Sequence, residues 1–201
     1  MAETSQAVDL RNTNDGRQFS NILWLIAALA LLFCILGIVF DWLTASTSYF
    51  EDGVVWIYDS VIYGLVAISF GRGVFLERTA AITLSLVLAV AGCHGSYDVF
   101  SEVVQRGTDV ALTSPISASV FAAGTILEAA LLFRYRKSGE PLMKGAWLSA
   151  RNSAVIGLAG AAAPLLFRAP TALSPQVFVD CLDTILAFQA AFFVARETIE
   201  I

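Results

Sequence analysis

The sequence predicts an all-α, six-transmembrane-helix bundle, and three observations predict it. Apolar stretches follow one another almost end to end, charge is scarce, and basic residues crowd into alternate connections. Of the 201 residues 57% are apolar and 14% charged, where a soluble domain carries roughly a quarter charged residues. A helix needs about 20 residues to cross a hydrocarbon core, so six spans use roughly 120 residues and leave only short loops. No room is left for a soluble domain, and ten-residue β-barrel alternation is absent. Helices this apolar and this tightly joined must bundle, because lipid offers no partner for free backbone groups.

Residues 1–20 are polar and of mixed charge, which predicts a mobile cytoplasmic tail that ends in a short interfacial helix near Arg17, and not a secretory leader; residues 21–201 form the membrane domain. The first span, 22–40, has no charge. The second, 54–70, carries Asp59, and Phe70-Gly-Arg-Gly-Val makes an inner turn that needs the backbone freedom of glycine. The third, 79–100, carries His94 and Asp98. An outer turn ends in Thr113-Ser-Pro115, a helix start, and opens the fourth span, 116–133, with Glu128. A basic loop from Phe133 to Leu142 leads into the fifth span, which holds Arg151, Asn152 and the small-residue run from Gly157 to Pro164. Small residues allow close helix approach, and Pro164 is a candidate kink. The sixth span, 177–194, carries Asp180 and Asp183.

Loop charge sets orientation. With the N-terminus inside, inner segments hold Arg11, Arg17, Arg72, Arg78, Arg134, Arg136, Lys137, Lys144 and Arg196, while outer loops hold only Arg106 and Arg168. Both termini are therefore expected in the cytoplasm, with an even number of crossings. Cys34, Cys93 and Cys181 lie within spans and lack CxxC spacing, which speaks against a disulfide framework or a thiolate zinc cage. No P-loop, HExxH or Gly-x-Ser-x-Gly occurs, and only one histidine is present. Neither an enzyme nor a nucleic-acid binder is expected.

Five carboxylates inside the spans are the functional signal. Each costs about 2.5–3.5 kcal/mol at a bilayer centre on insertion scales, so they are expected to face a protein or water interior. Asp59 lies roughly 9 Å into its span. It reads either as a cation or proton site, with Asn152 across the bundle, or as a relic carboxylate, protonated or hydrogen-bonded. His94 and Asp98 share one face at i, i+4. With Asp180 and Asp183 they read as an outer cation or proton site, or as a local hydrogen bond beside a helix cap. Glu128 and Arg151 fall in the cytoplasmic halves of neighbouring spans and are expected to pair, relieving the cost of burying either alone.

Thr44, Ser46, Asp52, Gly53 and Asp59 stand in a stretch that is similar to the second-helix motif of cation diffusion facilitators. Phe70-Gly-Arg-Gly with Glu77 resembles that family's glycine turn, one residue out of register. Lys144-Gly-Ala-Trp-Leu148-Ser-Ala-Arg-Asn152, and Val179-Asp180 with Ala195-Arg-Glu197, resemble its fifth and sixth helices. The resemblance implies a six-helix dimeric cation carrier in which the third and sixth helices pair. It also implies four tetrahedral ligands, at positions that here are Val55, Asp59, Leu148 and Asn152. Two aliphatic side chains cannot ligate, so the family's zinc site is expected to be degenerate. The family's cytoplasmic metal-sensing domain would begin near residue 201, which leaves a transmembrane module alone.

Two functions follow. One is a cation-efflux-like transporter for a proton or divalent cation, with an altered site and no certain cofactor. The other is a transport-inactive homologue serving as a structural or regulatory subunit of a membrane complex. Phe178, Phe188, Phe192 and Phe193 of the sixth span are then its lipid or partner surface.

Overall fold

A computed structural model describes residues 14–44, 48–105, 115–166 and 175–199. Among these the chain is all-helical, with no strand: α1 (Asn14–Thr44), α2 (Ser48–Ser69), α3 (Val74–Gln105), α4 (Pro115–Leu132), α5 (Pro141–Leu166) and α6 (Pro175–Ile199). A short 3-10 turn, Phe133–Tyr135, extends α4. Three stretches are long and apolar enough to cross a membrane: Asn14–Val39, Val74–Ser101 and Val177–Ile199, in α1, α3 and α6. They carry large exposed apolar side chains, among them Leu32 and Ile35 of α1, Leu86 and Val90 of α3, and Ile185 and Phe192 of α6. Such an outer surface suits lipid rather than water.

The helices pack as three antiparallel pairs. In α1–α2, Phe19 meets Phe70 edge to face at 5.0 Å and Phe33 stacks on Trp56 at 5.0 Å. The Ser60 hydroxyl donates to Ala27 O at 3.0 Å between them. In α3–α6, Ser85 donates to Ala191 O at 2.9 Å, and Gly95 faces Thr184. In α4–α5, Gly157 lies against Ala122 and Thr125, while Trp147 meets Phe133 at 5.5 Å. Helix α5 also packs on α6, and α2 touches α3 and α5, which joins the three pairs into one bundle.

All six helices meet at one end. Phe19 at the start of α1 touches both Phe70 at the end of α2 and Tyr135 after α4. Arg134 lies 3.9 Å from Asp15, and Lys144 of α5 pairs with Glu197 of α6. The α2–α3 turn is built by Gly71 (φ 69°) and Gly73 (φ 118°), conformations that favour glycine. The Glu77 side chain accepts the Gly71 N–H and holds the turn closed. Arg72, Arg134, Arg136 and Lys137 gather at this same end, where Arg136 lies 3.8 Å above the Phe133 ring.

Three details differ from the sequence reading. Helix α1 starts at Asn14, inside the segment read as a tail, because Phe19 is fully buried against aromatic rings and carries the helix down with it. Residues 1–13, with Arg11, lie outside the described residues. Helix α5 runs to Leu166, past Pro164. Phe193 is half-buried and packs against the core, so the outward aromatic face of α6 comprises Phe178, Phe188 and Phe192.

Candidate functional site

The buried polar side chains come mainly from α2, α4 and α5: Asp59 and Ser69, Thr125 and Glu128, Ser149 and Asn152. These few polar groups sit within an otherwise apolar core to which the other three helices add Phe19, Leu23, Leu84 and Val194. Asp59 is 5% exposed. Its Oδ2 is fully buried and has no hydrogen-bond partner among the described residues. An unsatisfied buried polar atom costs about 1–3 kcal/mol, so its retention calls for a reason.

Tyr63 lies one helical turn from Asp59 on the same face of α2. Its hydroxyl makes a long 3.5 Å contact to Glu128 Oε2 on α4 and also meets the side chain of Ser149 on α5. Asp59 and Glu128 are near enough to repel one another, and Asp183 of α6 acts on Asp59 in the same way. Asp183 in turn feels Asp98 of α3, whose Oδ2 lies 2.9 Å from His94 Nδ1. The His94 side chain is 77% exposed and that of Asp98 41%. The four carboxylates thus run in sequence from an exposed His94–Asp98 pair, through the interior, to Glu128 near the basic end.

Asn152 is committed elsewhere. Its Nδ2 donates to Leu186 O on α6 at 2.8 Å, while its Oδ1 accepts from Arg151 Nη2 at 2.8 Å and Nε at 3.2 Å. Arg151 Nη2 also donates to Gln189 Oε1 on α6 at 3.0 Å. No ion pair between Glu128 and Arg151 is present among the described residues. Their helices are neighbours, but Arg151 turns toward α6 while Glu128 turns toward Tyr63 of α2.

Of the four positions implied by the resemblance, Leu148 is buried in the apolar core and the side chain of Val55 lies outside the described residues. Among the described residues no three His, Cys, Asp or Glu converge in a way that could hold a metal ion. The donor set around Asp59 does not fit a divalent cation. The Asn152 amide oxygen is held by the Arg151 guanidinium, whose charge opposes a second cation. In the outer group, His94 and Asp98 pair, Asp183 feels the charge of Asp98, and Asp180 lies beside Gly95 through its backbone carbonyl.

Sequence reasoning missed Tyr63, Ser149, Thr184 and Gln189. Tyr63 had a signal, its i+4 spacing from Asp59, and Gln189 had another, an uncharged polar group in an apolar run. Because Asn152 ties α5 to α6, Asn152→Leu is expected to lower stability by about 1–3 kcal/mol, leaving Arg151 with Gln189 alone as acceptor. Thermal unfolding in detergent measures it, and an unchanged midpoint would show that the Asn152 contacts contribute little. Comparison of the chain with models of known families and with curated proteins finds no match.

Proposed function

We propose that this chain is a six-span membrane protein of cation-efflux-like design that carries protons through its interior by way of Asp59. The observation that carries this reading is the buried, unpartnered carboxylate oxygen of Asp59, set among Tyr63, Glu128 and Asp183. A purely structural polar group would be paired, whereas a group that must take up and release a cation is left open. The proton is favoured over a divalent ion because a proton needs one oxygen at a time, while zinc needs about four ligands at once.

The antiparallel alternation of the helices and the basic residues at one end support a reading of six crossings with both termini in the cytoplasm. In that reading α2, α4 and α5 cross as well, their polar residues shielded by one another and by α1, α3 and α6. The resemblance to cation diffusion facilitators supports the carrier reading through the paired third and sixth helices and the glycine turn capped by Glu77.

The test uses purified protein in vesicles loaded with a pH-sensitive dye, with the outside made acidic and potassium with valinomycin clamping the voltage. Internal acidification faster than in empty vesicles, and unchanged when divalent ions are chelated, is the expected result. Acidification that needs added zinc would instead restore a metal carrier. No acidification above empty vesicles would overturn the reading. A transport-inactive structural or regulatory subunit of a membrane complex is the second reading, favoured by the outward Phe178, Phe188 and Phe192 of α6; co-purification with a larger membrane assembly would support it.

A further inference from the structure

The proton reading leaves open how Asp59, which is sealed from solvent, is reached from outside. The pairing of α3 with α6 supplies a route. Gly95 lets the two helices close, since a Cβ there would lie 2.6 Å from Thr184 Oγ1 and 3.8 Å from the Asp180 carbonyl. This contact sets Asp98, one turn along α3, toward the same seam as Asp183 on α6. Asp98 lies roughly 36 Å along α3 from Val74, at the end away from the basic cluster. Asp98 is part-exposed and paired with His94 at 2.9 Å, close to the outer end of its span. Asp183 is half-buried, and Asp59 is buried with Oδ2 unpartnered. The Thr184 hydroxyl oxygen, next along α6, is a second buried polar atom without a partner among the described residues.

Resting on the proposed proton carriage, we propose that Asp98 and Asp183 form the outer half of a proton relay that delivers to Asp59, with Tyr63 and Glu128 as its inner half. Each transfer between carboxyl groups protonates the receiver and returns the donor to its carboxylate form, while Tyr63 accepts a proton on its hydroxyl oxygen as it donates its own to Glu128. Charge and atoms therefore balance, and no other reactant is needed beyond bridging water where two groups stand further apart than a hydrogen bond. His94 lies beside Asp98 at the mouth, its Nδ1 2.9 Å from Asp98 Oδ2. The groups that act on Asp59 are Asp183 from α6, Glu128 from α4 and Tyr63 on α2 itself. Arg151 of α5 is held by Asn152 and Gln189, and so leaves the line acidic throughout. None of these groups serves as a metal ligand in this scheme.

The experiment compares proton uptake in vesicles for the wild type, Asp59→Asn, Asp183→Asn, Asp98→Asn and Asp183→Glu. Asp183→Asn and Asp98→Asn are each expected to slow uptake by about tenfold or more, as loss of a proton-transfer group does, and Asp183→Glu to recover most of it. Uptake within about twofold of the wild type in both asparagine variants, with Asp59→Asn inactive, would overturn the relay and leave the carrier standing. No uptake by the wild type would overturn both. A second readout needs no transport. The infrared carboxyl band lost in Asp59→Asn should shift in Asp183→Asn in detergent-solubilised protein, and an unmoved band would contradict contact between the two groups.

Discussion

Asp59→Val is expected to give a protein that resists heat better than the wild type and carries no protons. The two effects share one cause. Asp59 Oδ2 is buried without a partner, and a polar atom in that state opposes folding by about 1–3 kcal/mol. Valine removes the unsatisfied oxygen, and its size is nearer to aspartate than that of leucine, so the core need not be rebuilt. Tyr63 and Glu128 keep their contact to each other in the variant. Stability is expected to rise by about 1 kcal/mol or more, read as a higher unfolding midpoint in detergent. Proton uptake should fall to that of empty vesicles. A stability loss of more than about 1 kcal/mol would mean that Asp59 has a stabilising partner, and its role would then be structural. Natural sites that trade stability for activity show this pattern.

Gly157→Val is expected to do the opposite and stop the bundle from closing. A Cβ at Gly157 would lie 2.7 Å from Thr125 Oγ1, 3.0 Å from Ala122 Cα and 3.3 Å from Phe121 Cδ1. The Ala122 atom is backbone and cannot rotate away. The Thr125 hydroxyl is anchored to its own helix by bonds to Phe121 O at 3.0 Å and Ala122 O at 3.1 Å. Overpacking of this kind costs typically about 1–3 kcal/mol, and valine adds two methyl groups beyond the first clash. Gly160, one turn further along α5, has open space around it. Gly160→Ala should therefore fold as the wild type does, and a size-exclusion profile of the two variants side by side checks the contrast. Equal behaviour would show that α4 and α5 are not in close contact at Gly157.

What was legible in the sequence was depth, and what was not was direction. The Gly71–Gly73 turn was readable because only glycine tolerates those φ values, and the α4 start at Pro115 was readable because proline suits a first turn. Apolar run lengths placed the helices along the chain. Which way a side chain points around its helix axis is decided by packing against neighbours, and here periodicity was blurred because lipid-facing and core-facing positions are both apolar. Glu128 and Arg151 were placed at matching depths, but rotation sends one toward Tyr63 and the other toward Gln189. For the same reason the commitment of Asn152 to Leu186 O was invisible, and so was the line from Asp98 to Asp59, which depends on how α3 and α6 close at Gly95.

The most direct test of the central claim, that Asp59 is the carrier's proton-binding group, is proton uptake by Asp59→Asn in vesicles beside the wild type at equal protein load. Asparagine keeps the size and loses the exchangeable carboxyl. The account predicts uptake in the wild type and none above empty vesicles in the variant. Equal uptake by the two proteins would contradict it.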